Sequence, residues 1–294
     1  MKMLQSIVVQ GHPDFEILDP IRHQIFLMIG DAANFPQKFG ELVSEAIEFV
    51  LDPVRTGRTQ ITDLDNVEKT FVGLKIEHFV RDLLDAPKGI RDLEINGQDI
   101  DVKNTLDNSW MIPPETYRDQ EVCLVVNSKA DKHLCWLGLL VARDQYLNAP
   151  NRDGKRGVKS GAVENVLWLV ESQPYPQSRW APFDMKLFRA LRQDIAGGTK
   201  RLSEFFRLYT DVPVHRKVIQ SLLHPAVDYL KRVRGNGGAR DVLRPEGIAL
   251  LSGAYDNEKL IQMGRPIIDR DEFIAIRPRT KIEEQILRSH GAIG

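Results

Sequence analysis

Near residue 90 the apolar residues stop recurring every three to four positions and begin to alternate. Over 67–85, Phe71, Leu74, Phe79, Leu83 and Leu84 follow helical spacing. Asp85-Ala86-Pro87-Lys88-Gly89 then ends the helix, because proline and glycine continue one poorly. In the next stretch Leu93 and Ile95 alternate with Asp92, Glu94 and Asn96. After Asn96-Gly97, a favoured hairpin turn, Ile100 and Val102 alternate with Asp99, Asp101 and Lys103. Upstream, 14–30 and 38–51 read as helices, the second with Leu42, Ala46, Ile47, Val50 and Leu51 on one face. Downstream, EVCLVVNS and HLCWLGLLVAR flank Lys129-Ala130-Asp131-Lys132 and read as a more deeply buried strand pair. Helices followed by a strand meander must bury a helical layer against a sheet, which makes this half of the chain α+β.

At 294 residues the chain is long enough for two domains. Segment 144–162, DQYLNAPNRDGKRGVKSGA, is polar and glycine-rich and reads as a connector. The expected division is 1–148, a linker at 149–163, and 164–294. Beyond the linker, 162–171, 183–195 and 200–209 read as helices. Thr210-Asp211-Val212-Pro213 is a short turn, and VHRKVIQSLLH from 214 is a fourth helix. Helix, short turn, helix is the helix-turn-helix signature. Strand-like pieces at 247–253 and 271–279 add a terminal hairpin, so the second domain is expected to be a mainly helical winged helix-turn-helix.

Charge separates the halves. Residues 1–150 carry a net −9 and residues 151–294 a net +8, although the whole chain is −1. A basic domain is an electrostatic footprint for a polyanion. No apolar run approaches the roughly 18–20 residues that cross a bilayer. The first residues show no secretory pattern, and two cysteines, Cys123 and Cys135, fit small core residues of a cytoplasmic protein. Scattered histidines and the absence of a CxxC pair speak against a structural zinc site.

Asp92, Asp101 and Lys103 form the chemical centre. On a strand, residues two apart share a face, so Asp101 and Lys103 stand side by side while Ile100 and Val102 pack on the other face. Hairpin geometry can bring Asp92 to the same face. Converging carboxylates attract hard divalent cations such as Mg²⁺, which polarise a phosphate and activate water. A neighbouring ammonium can orient that water or stabilise developing charge. Glu77, on the helix leading into the meander, is a candidate third carboxylate. The plain alternative is a surface ion pair between Asp101 and Lys103, worth about 0–1 kcal/mol.

Helix-Glu, then Asp, then Asp-x-Lys nine residues later, followed by Asn104-Thr105 and by Trp110-Met111-Ile112-Pro113-Pro114-Glu115, resembles the NaeI-type restriction endonucleases. So do the strings beginning at Asn151, Tyr229, Asn236 and Leu243. The matching strings run from about residue 70 to 255; the first 65 and last 35 residues show no match. The resemblance implies a mixed-sheet PD-(D/E)XK nuclease core flanked by helices and fused to a winged-helix, CAP-like domain. It implies a Mg²⁺-dependent homodimer cutting both strands of a palindrome in double-stranded DNA, with the second domain binding a further DNA copy as activator. The catalytic positions carried over are Glu77, Asp92, Asp101 and Lys103, the first three as metal ligands. Arg91 stands where the general nuclease signature has proline.

In the second domain, 200–244 holds ten Lys/Arg against four Asp/Glu. His215, Arg216, Lys217 and Gln220 occupy the start of the second helix, the end that meets base edges in a helix-turn-helix. Lys231, Arg232, Arg234 and Arg240 surround a glycine-rich turn and suit phosphate contacts. Two other functions fit these features: a winged-helix regulator whose first domain only dimerises, and a nuclease that selects modified bases.

Overall fold

The computed structural model describes residues 3–106 and 109–294. The chain divides into two compact units, one of 1–51 and 60–178, the other of 52–59 and 179–294.

The first unit begins with helices α1 (Phe15–Ile29) and α2 (Phe35–Leu51). After the excursion 52–59 comes α4 (Asn66–Leu84), capped by Asp65, whose side chain accepts the Glu68 N–H. The short helix α3 (Pro53–Thr56) lies within the excursion and goes with the second unit. Strands β1 (Leu93–Ile95) and β2 (Gln98–Thr105) form the expected hairpin. Asn96 and Gly97 both have positive φ, 54° and 70°, as a two-residue turn of this twist requires. Then follow β3 (Met111–Ile112), α5 (Pro114–Tyr117), β4 (Val122–Lys129), β5 (Leu134–Val141), β6 (Leu147–Pro150), β7 (Arg156–Val158) and β8 (Leu167–Pro174).

The main sheet has the order β1-β2-β4-β5-β8. Only β2 and β4 run parallel, so the sheet is mixed, and with its flanking helices it has the α+β architecture expected of the first domain. One face carries Leu93, Ile95, Ile100, Val102, Leu124 and Val126 into a core with α1, α2 and α4. The opposite face carries Cys123, Val125, Trp136 and Leu140 under Trp110, Ile112, Leu147 and Val158. Those last residues come partly from a second small sheet, β3-β7-β6. Both cysteines are buried and free.

Two expectations are corrected here. The helix expected at 162–171 is instead a 3₁₀ turn, Ser160–Asn165, followed by β8. Leu167 and Leu169 enter the helix-side core while Val166 and Trp168 enter the other, so the run is apolar because it is buried on both faces. The linker expected at 149–163 is β6, β7 and that turn, which bury Leu147, Val158, Ala162 and Val163. The boundary lies at Ser178/Arg179. The charge separation survives this shift: the two units, counted by their own residues, carry −9 and +8.

The second unit contains α6 (Met185–Asp194), α7 (Gly198–Leu208), β9 (Val214–His215), α8 (Arg216–Leu223), α9 (Leu230–Val233), α10 (Ala239–Leu243), β10 (Ala249–Ser252), α11 (Asn257–Gln262), β11 (Glu272–Ile276) and α12 (Lys281–Ser289). Phe188, Leu202, Phe205, Phe206, Ile219 and Leu222 make its core, to which α3 adds Val54. The expected strands β10 and β11 pair antiparallel, but α11 lies between them, so they are not joined by a tight turn. β9 completes the sheet in the order β10-β11-β9 and leads directly into α8.

Candidate active site

The register of the hairpin decides the site. Leu93 pairs with Ile100, and β1 covers β2 only at Gln98, Asp99 and Ile100. One step further, Asp92 falls opposite Asp101. The Val102 N–H, which β1 no longer reaches, donates to Asp92 Oδ2 at 2.7 Å. The carboxylate thus takes the place of a strand at this edge. On its other side β2 is fixed by β4, with Asp101 beside Cys123 and Lys103 beside Val125.

Asp101 is 4% exposed, which removes the surface-pair reading. Its Oδ1 is bonded to the Lys103 ammonium, and its Oδ2 accepts from Thr116 Oγ1 at 2.7 Å. Asp92 is held above the usual carboxylate range by burial, against the pull of the Val102 N–H, and Asp101 beside it pushes the same way. Burial opposes charge on Lys103, yet the Asp101 and Asp92 carboxylates outweigh it and hold the ammonium above its ordinary value. Glu77 is pushed up to about 7, first by burial and then by the charges of Asp92 and Asp101, with Lys103 working against them. The four groups expected from the sequence therefore share one electrostatic neighbourhood.

The donor set suits a hard cation. All three acids offer oxygen, and Mg²⁺ binds through one or two carboxylates while keeping several waters. Asp92 and Asp101 converge as such a pair. Among the described residues no three His, Cys, Asp or Glu side chains stand close enough to enclose a metal ion; Glu77 is joined to the Asp92–Asp101 pair through their mutual charge. Thr116 was not legible in the sequence. It lies 15 positions from Asp101 in a four-residue helix with no periodic signal.

In the second unit the expected DNA-contacting residues separate into two groups. Lys217 and Gln220 are exposed on α8, and Lys231, Arg232 and Arg234 are exposed on and after α9. Arg216 is half-exposed and paired with Asp271 at 3.1 Å. His215 caps α8 by accepting the Lys217 N–H, and burial together with Arg179 and Lys217 pushes it down to about 4, so it is neutral at pH 7. Arg240 turns inward and donates to the buried Asp256 at 2.8 Å, which fastens α10 to the end of β10. Through this ion pair it also ties its helix to the strand end, beside the expected phosphate contacts.

Among the described residues no helix is long and apolar enough to cross a membrane. A family described as "Restriction endonuclease NaeI" matches residues 34–285, a longer stretch than the strings legible by eye. The chain is also 31% identical over 247 residues to the type II restriction enzyme NaeI of Lentzea aerocolonigenes, covering 80% of this chain and 76% of that protein.

Proposed function

The chain belongs to the NaeI restriction endonuclease family, which makes it a site-specific deoxyribonuclease, and from that premise we propose that it cuts both strands of duplex DNA at the corner formed by Asp92, Asp101, Lys103 and Glu77. The observation that carries this reading is the meeting of Asp92 and Asp101 at the edge of β2, with Lys103 bonded to Asp101. A binding-only regulator has no use for two acids meeting beside a half-buried ammonium within the field of a third, and the family sets that alternative aside.

Asp92 and Asp101 would hold Mg²⁺, with Glu77 completing the negative field. When bound, the ion supplies Lewis-acid polarisation of the phosphate and a lowered pKa for water. Lys103, kept protonated by its acidic neighbours, presents N–H donors to the attacking water or to a phosphate oxygen. Asp101, fixed at both oxygens, keeps that ammonium in place through the reaction.

The second unit reads as a winged helix. The pair α7 and α8, the exposed Lys217 and Gln220, and the sheet β10-β11-β9 beside them support this. Its +8 charge suits a DNA partner, here a further copy of the site acting as activator. A palindromic target cut on both strands calls for a homodimer acting in the cytoplasm.

Plasmid cleavage in Mg²⁺ tests the reading. Asp101→Ala and Lys103→Ala are each expected to lower the rate about a hundred- to a thousandfold while DNA binding in Ca²⁺ persists, on the order of the loss of a key electrostatic group. Normal cutting by Asp101→Ala would overturn the site.

A further inference from the structure

Asp92 lies one step beyond the last pair of β1, where the strand ladder no longer holds its backbone, and the residue before it is an arginine with more hydrogen bonds than a surface position needs. The Arg91 N–H is shared by both oxygens of Asp99, at 3.0 and 2.9 Å. Its guanidinium grips Glu121 with two bonds of 3.1 Å and donates to the Glu115 carbonyl at 3.0 Å. A proline here would fix φ but could donate nothing; arginine reaches the same end by tethering the backbone to β2, to the residue that enters β4, and to α5. Gly89 leaves room for this. A Cβ there would stand 2.0 Å from Asp99 Oδ1.

The next residue after Glu115 is Thr116. It is fully buried and donates to Asp101 Oδ2. One four-residue helix, α5, therefore touches the Asp92 backbone through Arg91 and the Asp101 carboxylate through Thr116. We propose that Arg91 and Thr116 are positioning residues that together set the separation of the Asp92 and Asp101 carboxylates, and with it the affinity of the site for Mg²⁺. This rests on the reading of those carboxylates as the Mg²⁺ ligands. Partners of ligands orient them and commonly govern metal affinity by 10- to 100-fold.

The test uses the full chain as Thr116→Val, Thr116→Ser, Arg91→Met and Asp101→Asn. Two quantities are read: the Mg²⁺ concentration giving half-maximal plasmid cleavage, and the rise in melting temperature that Mg²⁺ alone produces without DNA. Thr116→Val and Arg91→Met should each raise the Mg²⁺ midpoint about tenfold and shrink the Mg²⁺-induced rise. Thr116→Ser, which keeps the donor, should stay within about twofold of the parent. The double variant Thr116→Val/Arg91→Met should fall short of the product of the single effects, because both act on one separation.

Unchanged Mg²⁺ midpoints in both single variants, or a serine variant as impaired as the valine one, overturn the proposal. If Thr116→Val does not fold, as its metal-free melt would show, Arg91→Met decides through Asp92. Asp101→Asn keeps the two levels apart. Normal cutting by that variant overturns the ligand reading itself, whereas an inactive Asp101→Asn beside unshifted Thr116→Val and Arg91→Met overturns only the positioning role.

Discussion

Glu77→Gln should make the metal-free protein more stable at pH 8 and leave it nearly unchanged at pH 4, below the ordinary carboxyl value. Burial and the Asp92 and Asp101 charges raise the Glu77 carboxyl from an ordinary 4.5 to about 7. Between those values the folded chain binds more protons than the unfolded one, so stability falls as pH rises through the window and the full loss is reached above about 7. Each tenfold in proton affinity is about 1.4 kcal/mol, which sets roughly 3 kcal/mol as a ceiling. Glu77 retains some contact with water, and local relaxation reduces the effect to about 1–2 kcal/mol. Glutamine cannot ionise and escapes the penalty. The assay is urea unfolding in EDTA at pH 4 and pH 8, with the gain appearing at pH 8 and nearly absent at pH 4. Adding Mg²⁺ at pH 8 should narrow the gap, because the cation binds the folded parent more tightly than the variant. An equal difference at both pH values, or a variant less stable than the parent at pH 8, would refute the reasoning.

Other consequences can be measured separately. Gly138→Ala places a Cβ 2.4 Å from Val166 Cγ1 and 2.7 Å from Trp168 Cε3, so overpacking between β5 and β8 should lower stability by about 1–3 kcal/mol in thermal unfolding. Lys217→Ala and Lys231→Ala should each reduce the slope of log affinity against log salt by about one in DNA titrations, as the loss of one phosphate contact does. Arg240→Ala should leave that slope alone and instead reduce stability by about 1–2 kcal/mol, because Asp256 loses a charged partner while Lys259 still holds it. A normal urea midpoint with an altered salt slope would reverse that assignment.

What the order of residues settled alone was local. Alternation places Asp101 and Lys103 on one face of β2 whatever lies around them, and Asn96-Gly97 supplies the two positive φ angles that turn the hairpin back so that Asp92 falls opposite Asp101. The helices 14–30, 38–51 and 67–85 and the pair β4–β5 were legible for the same reason: each is written in a period of a dozen residues or fewer. The apolar run 166–170 was not, since a strand buried on both faces has no alternation to read, and only pairing with β5 makes it one. The polar segment 144–162 likewise became sheet by pairing with β3 rather than by its composition. Tertiary structure alone brought Thr116 to Asp101, Glu121 to Arg91 and Asp256 to Arg240, because each is a contact between residues 15 or more apart whose meeting depends on the packing of other elements. The carboxylates were therefore visible in the sequence, while the groups that hold them and the charge state of Glu77 arose from burial, which no short stretch of chain specifies.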